Sequence, residues 1–586
     1  MFHFLVFLVL AAVIGFLAYY GAGVFGWTLC VTSAVLLPLT IWQTFRLAKQ
    51  PMADGDLERR KTSGRLYGLM GAVLIFLGIT LIPIPVSLSG LAGAERSRDN
   101  RHAAATLQAA EKLQLIPDAP MAFPLTRNAP GTLRMATLWL TVFACFGLAA
   151  GLPAVWRPRL LHLLIFTGAI IGAAGMVHFR IKPQGDMLWW RIPVEHSLPG
   201  PAACFVNRNH FAGFMAMMGI TALASALTHL QARQWFKTFL CITAFAVMGA
   251  ALLLSGSRGA TIALAIGLFA LPLFSLRRQR IRQAVLALAV VGALGACAVS
   301  IIRELPQVRA RYTSLSDPRN DDSVQRRAAA WVNVIKTWRH YPVIGCGANA
   351  LRMVYPQHRI TSERARRLHA ENEIFQILAE AGLVGIALAI LLVVAYVKAF
   401  RTAADPLPLT RMAAMAAGTV AAAHAFVDFP LHVPLYAMAL SLILGAALAP
   451  MVPDKRVWMP AVAALALALA ALPRWQYVTN GDAQDALNQA GLPPLASLMR
   501  AMPTSSQVWF NFAVEAHKAA PEKSKDLMLS CLAQAGACDP NNYLLWLEIG
   551  KNRLMLGDND GARAAFRRVR ELRSWVTLPP VPRDKP

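Results

Sequence analysis

KTFLCITAFAVMGAALLLSGSRGATIALAIGLFALPLFS, residues 237–275, holds two apolar runs, 237–254 and 259–275, joined almost without a loop by Ser255-Gly256-Ser257-Arg258-Gly259. Runs of this length and composition cross a bilayer as helices. Backbone groups in lipid must bond internally, and the ten-residue alternation of a membrane barrel is absent. The same reading extends to 3–21, 24–42, 66–86, 135–155, 160–177, 211–230, 284–302, 373–399, 410–427, 433–452 and 457–473, giving thirteen expected spans. At 56% hydrophobic content over 586 residues, the chain is expected to be an all-α polytopic membrane protein. The N-terminal run lacks a basic flank and a small-residue cleavage site, so it reads as a retained span.

Loop charge gives the expected orientation. With the N-terminus inside, six consecutive inner loops are basic: Arg59-Arg60-Lys61, Arg157 with Arg159, Arg233 with Lys237, Arg277-Arg278 to Arg282, Lys398 with Arg401, and Lys455-Arg456. An odd number of spans leaves residues 474–586 outside, in the periplasm of a Gram-negative cell. Three outer loops follow, 87–132, 178–210 and 303–372. The first carries a short helical stretch, Ala103 to Leu115. The second carries Trp189-Trp190, read as headgroup-depth anchors.

The third outer loop has thirteen Lys/Arg against six Asp/Glu and ends in His369-Ala-Glu371-Asn372. Arginines and a histidine gathered beside lipid suit an anion. The net charge of +26 is mostly topological signal. No nucleic-acid module is visible, and attraction to anionic lipid is the expected consequence of the charge.

Several constellations carry candidate chemistry. Asn207-Arg208-Asn209-His210 places four polar side chains in a row at a span boundary, where anchoring is the plainer role. Arg258 sits at the tip of the hairpin quoted above, at or slightly below the outer interface, where a charge is costly. Snorkelling is its plainer role. Small neighbours and the Ser257 hydroxyl suit a phosphate, and a guanidinium fork matches two of its oxygens. Arg326-Arg327 precede Trp331 on an expected amphipathic helix, Val324 to Trp338, and Pro342-Val-Ile-Gly345-Cys-Gly347-Ala-Asn349 makes a tight turn near Arg352. His369 can accept a proton from a sugar hydroxyl. Glu371, two residues on, does not face it on a regular helix, so a different acid or a local irregularity is expected to orient it. Asp428, in His424-Ala-Phe-Val-Asp428-Phe-Pro430-Leu-His432-Val-Pro434, is expected to pair with an arginine. No Walker, dinucleotide or HExxH pattern occurs, so no cofactor or metal is demanded.

The tail changes character. Trp509 to Ala519 and Tyr543 to Gly550 open helical patterns, followed by Leu556-Gly557-Asp558 and Ala562 to Phe566. The Trp509–Trp546 offset is close to the period of tetratricopeptide repeats, which present a surface for a partner. A helical cap without a binding role is the plainer alternative. Cys531 and Cys538 read either as a disulfide in an oxidising compartment or as two buried thiols.

In this order, Asn207 to Ala212, Ser255 to Gly259, Arg327 with Trp331, Pro342 with Gly345 and Gly347, His369 to Asn372, Glu380-Ala-Gly382-Leu-Val-Gly385 and Asp428-Phe-Pro430 resemble the O-antigen ligase / O-antigen polymerase superfamily over roughly 200–450. The resemblance implies a GT-C-like fold and metal-independent, inverting transfer of a glycan from undecaprenyl diphosphate. It implies that Arg258 and Arg327 bind the diphosphate and that His369 is the base. Asn207, Arg208, Asn209, His210, Ser257, Arg326, Arg352, Glu371, Asn372 and Asp428 are the expected substrate-binding set. His-Ala-Glu-Asn stands here where ligases often have His-x-His-Asn, and the long tail looks more like the polymerase or protein-glycosylating branches.

The expected organisation is therefore 1–200, N-terminal spans and outer loops; 201–452, the catalytic membrane core with loop 303–372; 453–475, a last span; and 476–586, a periplasmic repeat-like domain. The expected partners are an undecaprenyl-diphosphate-linked oligosaccharide, an acceptor glycan, lipid or protein, inner-membrane lipids, and polysaccharide-assembly proteins met through the tail. The expected location is a bacterial inner membrane. Polymerisation of surface-polysaccharide repeat units is the leading reading. Ligation to lipid A core, protein O-glycosylation and lipid transport are the alternatives.

Overall fold

A computed structural model of the chain describes residues 2–20, 22, 26–48, 56–119, 121–181, 187–188, 192–193, 201–275, 322–359, 369–402, 408–448 and 491–582. The expected spans 284–302 and 457–473, and Trp189-Trp190, lie outside the described residues. The described architecture is helical, with two short two-stranded ladders. The first ladder pairs β1 (Pro83–Pro85) with β2 (Ala122–Pro124).

Seven helices are long and apolar enough to cross a membrane, and three shorter apolar helices accompany them among the described residues. The membrane helices are α1 (Phe2–Tyr19), α2 (Gly26–Ala48), α3 (Asp56–Leu81), then, after α4 (Ala94–Lys112) in the first loop, α5 (Ala129–Ala150), α6 (Trp156–Ile181), α7 (Arg208–Gln231), α8 (Trp235–Ser255) and α9 (Arg258–Ser275). Beyond α10 (Asp322–His340) and α11 (Leu351–His358) come α12 (Glu373–Thr402), α13 (Pro408–Ala425) and α14 (Pro434–Ala446). Burial ranks them. The apolar window of α7 is 94% buried, whereas that of α12 is 22% buried, so α7 is the axis of the bundle and α12 faces outward. Helix α7 can be central because it is rich in small residues. Gly213 lies so close to the His424 ring on α13 that a Cβ there would overlap it. Without a hydrophobic drive between helices in lipid, such close approach supplies the packing attraction.

One end of the bundle carries an extramembrane layer. Its centre is a turn, residues 342–347, docked onto a break in α12 at Gly382, where the backbone leaves helical geometry with φ 63° and ψ −158°. A break frees the carbonyls before it and the amides after it. The turn takes up both. Cys346 N donates to Ala379 O at 2.9 Å and Gly347 N to Glu380 O at 2.8 Å, while Leu383 N and Val384 N each donate over 3.0 Å, to Pro342 O and Val343 O. From the other side the first loop grips the same turn. Arg96 donates to Gly345 O, Arg127 N to Cys346 O at 2.8 Å, Asn128 Nδ2 to Asn349 O at 2.7 Å and Thr132 Oγ1 to Ala348 O at 2.8 Å.

The tail forms helical hairpins that share a core with α4, Phe123 and Met353. After α15 (Leu492–Ala501), α16 (Ser506–Ala519) pairs with α17 (Lys525–Cys538), and α18 (Tyr543–Met555) pairs with α19 (Asn559–Leu572). The first helices of the two hairpins repeat one design. Ser505 and Asn542 cap them, accepting from Val508 N and Leu545 N, and Trp509 and Trp546 donate to Pro503 O at 2.8 Å and Pro540 O at 3.0 Å. Cys531 and Cys538 are both buried free thiols on α17. Seven positions along a helix separate their Cα atoms by roughly 10 Å, too far for a disulfide, so the buried-thiol reading stands.

Gly382→Ala should lower stability by about 3 kcal/mol, because an alanine is strained at this positive φ and its Cβ would sit 2.6 Å from Gly345 N. Gly249→Ala, with open space around it, should be neutral or slightly stabilising. Thermal melts of the two purified variants in detergent check this.

Candidate active site

The site is built where α7, α9, α12 and α13 begin or end together. Asn207 caps α7, its side chain accepting from Asn209 N at 2.8 Å, which sets His210 in the first turn. The Asp428 carboxylate lies between two imidazoles, 3.3 Å from His210 Nε2 and 3.5 Å from His424 Nε2, and accepts from Phe429 N at 2.8 Å. Burial alone would raise its pKa, but His210 and His424 hold the carboxyl well below its usual range. The expected arginine partner of Asp428 is therefore replaced by two histidines.

Phe429 is the next platform. The His369 ring stacks on it at 4.1 Å and 18°, and His210 meets it edge-on at 4.6 Å. His369 is thus oriented by an aromatic face rather than by an acid. Its Nδ1 is buried with no hydrogen-bond partner. His432 stands 5.3 Å from His369, ring to ring. The acids that sequence reasoning sought for His369 serve His432 instead: Glu373 Oε1 is 3.2 Å from Nδ1 and Glu380 Oε2 is 4.0 Å from Nε2.

The two neighbouring histidines are driven apart electrostatically. Burial, reinforced by His432, His210, Arg352 and Arg134, holds the His369 imidazole well below 6.5. Burial also disfavours charge on His432, but Glu373 and Glu380 outweigh it and raise that group to about 10. At neutral pH the first is a free base and the second a cation. Titratable neighbours separated in this way mark acid/base assignments.

Residues 370–372 are pinned one by one. Trp331 Nε1 donates to Ala370 O at 3.1 Å, and Ala370 N donates to Gln376 Oε1 at 2.6 Å. Glu371 adopts φ 52°, a costly value for a non-glycine residue, and accepts from Arg327 Nε at 2.8 Å. Asn372 caps α12 through Ile374 N and Phe375 N, and donates to Phe426 O at 2.7 Å. Gln376 Nε2 and Leu351 N both donate to Glu380 Oε1, which ties Arg352, the next residue on α11, to this floor.

Arg258 opens α9 two residues after Gly256, which is in the left-handed conformation, with Ser257 N donating to Ser255 Oγ. A Cβ on Gly259 would meet Val427 Cγ2 at 2.8 Å, so the Arg258 end of α9 abuts the residue before Asp428. Ser257 is buried and Arg258 half-buried. Arg208 Nη1 is buried without a hydrogen-bond partner, Asn209 is half-buried and Arg326 is exposed on α10. The structure therefore brings His210, Arg327, His369, Glu371, Asn372 and Asp428 to one end of the bundle, with the Arg258 turn beside them. Sequence reasoning did not select Phe429, His432, Glu373, Glu380 or Arg134. Arg134 had a signal: an arginine flanking a span on the side where short loops are poor in basic residues. Nearby, Glu95, His340 and His358 bring three donor atoms within 4.8 Å, but Glu95 already pairs with Arg98.

Fold and site together define a multi-pass membrane protein with a cationic, histidine-bearing centre at one end of its helices. Residues 243–390 match the model of the O-antigen ligase family (Wzy_C), so the chain carries a domain of that family, whose members are membrane glycosyltransferases. The match spans Arg258, Arg327 and His369, while His210 and Asp428 lie to either side of it. A search of curated proteins found no match.

Because the native pKa of His432 is raised, its contribution to stability is full below 6.5 and is lost as pH rises through about 10. Melting temperature should fall over that interval, and His432→Gln should flatten the fall.

Proposed function

We propose that the chain transfers a glycan from undecaprenyl diphosphate to an acceptor hydroxyl at the periplasmic face of a bacterial inner membrane, polymerising surface-polysaccharide repeat units. The observation that carries this reading is a neutral His369 set beside Arg352, Arg134 and a charged His432, with Arg327 bonded to Glu371 two residues on. The acceptor oxygen attacks the sugar C1, the C1–oxygen bond to the diphosphate breaks, and the lipid diphosphate leaves with the electron pair. His369 takes the acceptor proton. Arg258 and Arg327 neutralise the charge that builds on the leaving group, a term that often dominates catalysis. Such a site does this without a metal, and attack opposite the leaving group inverts C1. Asp428 holds His210 at the rim, and Asn372 fixes the start of α12 beneath His369.

Protein O-glycosylation is the second reading. It is favoured by the tail hairpins, whose repeated capping and tryptophan contacts suit a tetratricopeptide-like surface for an extended acceptor.

Incubating the purified protein with a lipid-linked repeat unit, with and without glycan or peptide acceptors, tests both readings. His369→Ala should lower turnover by roughly 10²–10⁴-fold. Arg258→Ala and Arg327→Ala should abolish product, and Arg258→Lys should also be poor because the fork is lost. Near-normal product from all of these variants overturns the site assignment.

A further inference from the structure

The opposite end of the bundle holds a cluster that transfer does not use. His162 near the start of α6, His229 in the last turn of α7 and Cys241 in the second turn of α8 bring two imidazole nitrogens and a thiol within 4.8 Å of one another. His229 and Cys241 are buried and His162 is half-buried. The two rings stack at 5.0 Å and 28°, with their Nε2 atoms 2.8 Å apart.

The hydrogen bonding defines the tautomers. His229 Nδ1 lies 2.9 Å from Gln234 Oε1, which only accepts, so Nδ1 carries the proton and Nε2 presents its lone pair. His162 Nε2 then supplies the single proton between the two rings. A metal ion can take the place of that proton, and the Gln234 contact is the kind of outer interaction that orients a metal-binding imidazole.

We infer that His162, His229 and Cys241 form a binding site for a borderline-soft transition metal of the zinc class, with Gln234 fixing His229 from behind. Oxygen-seeking cations such as magnesium and calcium do not suit two nitrogens and a sulfur. Zinc bonds of about 2.0–2.3 Å place tetrahedral nitrogen and sulfur ligands about 3.3–3.6 Å apart, so the two nitrogens need only part slightly and the thiol close by no more than about 1 Å. The ion ties α6, α7 and α8 together. His229 and His210 stand at the two ends of α7, roughly 28 Å apart at 1.5 Å per residue, so the ion is a structural clamp and not a participant in transfer.

The test is cobalt titration of the full chain, purified in detergent and stripped with a chelator. One cobalt per chain is expected, with tetrahedral visible bands and a thiolate-to-cobalt charge-transfer band. Cys241→Ser should lose that band while eluting as a folded protein. Gln234→Ala should bind roughly tenfold more weakly. Zinc should displace the cobalt and raise the melting temperature of the wild type. Because the chain has eight cysteines, a charge-transfer band that survives Cys241→Ser overturns the assignment. So does the absence of stoichiometric binding, or weak octahedral bands alone.

Discussion

The extramembrane half of the molecule depends on the exchange of backbone hydrogen bonds between the turn 342–347 and the break in α12 at Gly382. A broken helix at membrane depth is tolerated only where its orphaned groups find partners. Here the turn supplies two amides before the break and two carbonyls after it. Gly345, Gly347 and Gly382 all have positive φ and lie too close to opposing atoms for any side chain. The exchange fixes Glu380 on one side and Asn349 to Leu351 on the other. Glu380 then serves Gln376, Leu351 and His432 together, and Gln376 holds the residue next to His369. Backbone geometry and the geometry of the candidate site are one connected structure.

The electrostatics follow from that arrangement. Removing charged groups from water is expensive, and the chain divides the cost unequally. His432 receives both nearby carboxylates and keeps its proton, while His369 receives only an aromatic face and positive neighbours and loses it. Asp428 and Glu371 are engaged by His210, His424 and Arg327, so neither is left to draw a proton onto His369.

Much of this was legible in the sequence, for identifiable reasons. The spans stand out because lipid demands apolar runs, and helices over 208–231, 235–255 and 373–402 lie close to their expected limits. The turn and the broken helix were each visible as glycine-bearing motifs, Pro342 to Gly347 and Glu380 to Gly385. That they bind one another was not, since nothing in either segment names its partner. The partner of Asp428 was misjudged for a related reason. Charge alone favoured an arginine, whereas Gly213 makes room for the His424 ring, and a glycine's neighbour across a helix interface cannot be read from its own segment. The cluster of His162, His229 and Cys241 was invisible because its members come from three helices.

The docked tail gives the molecule a mechanical linkage. Asp539 and Asn541, at the junction of the two hairpins, clasp Arg359 through its guanidinium at 3.1 Å and its carbonyl at 3.3 Å. Arg359 is ten positions ahead of His369. The hairpins are therefore pinned to the C-terminal end of α11, so a force applied to either one is shared by the other.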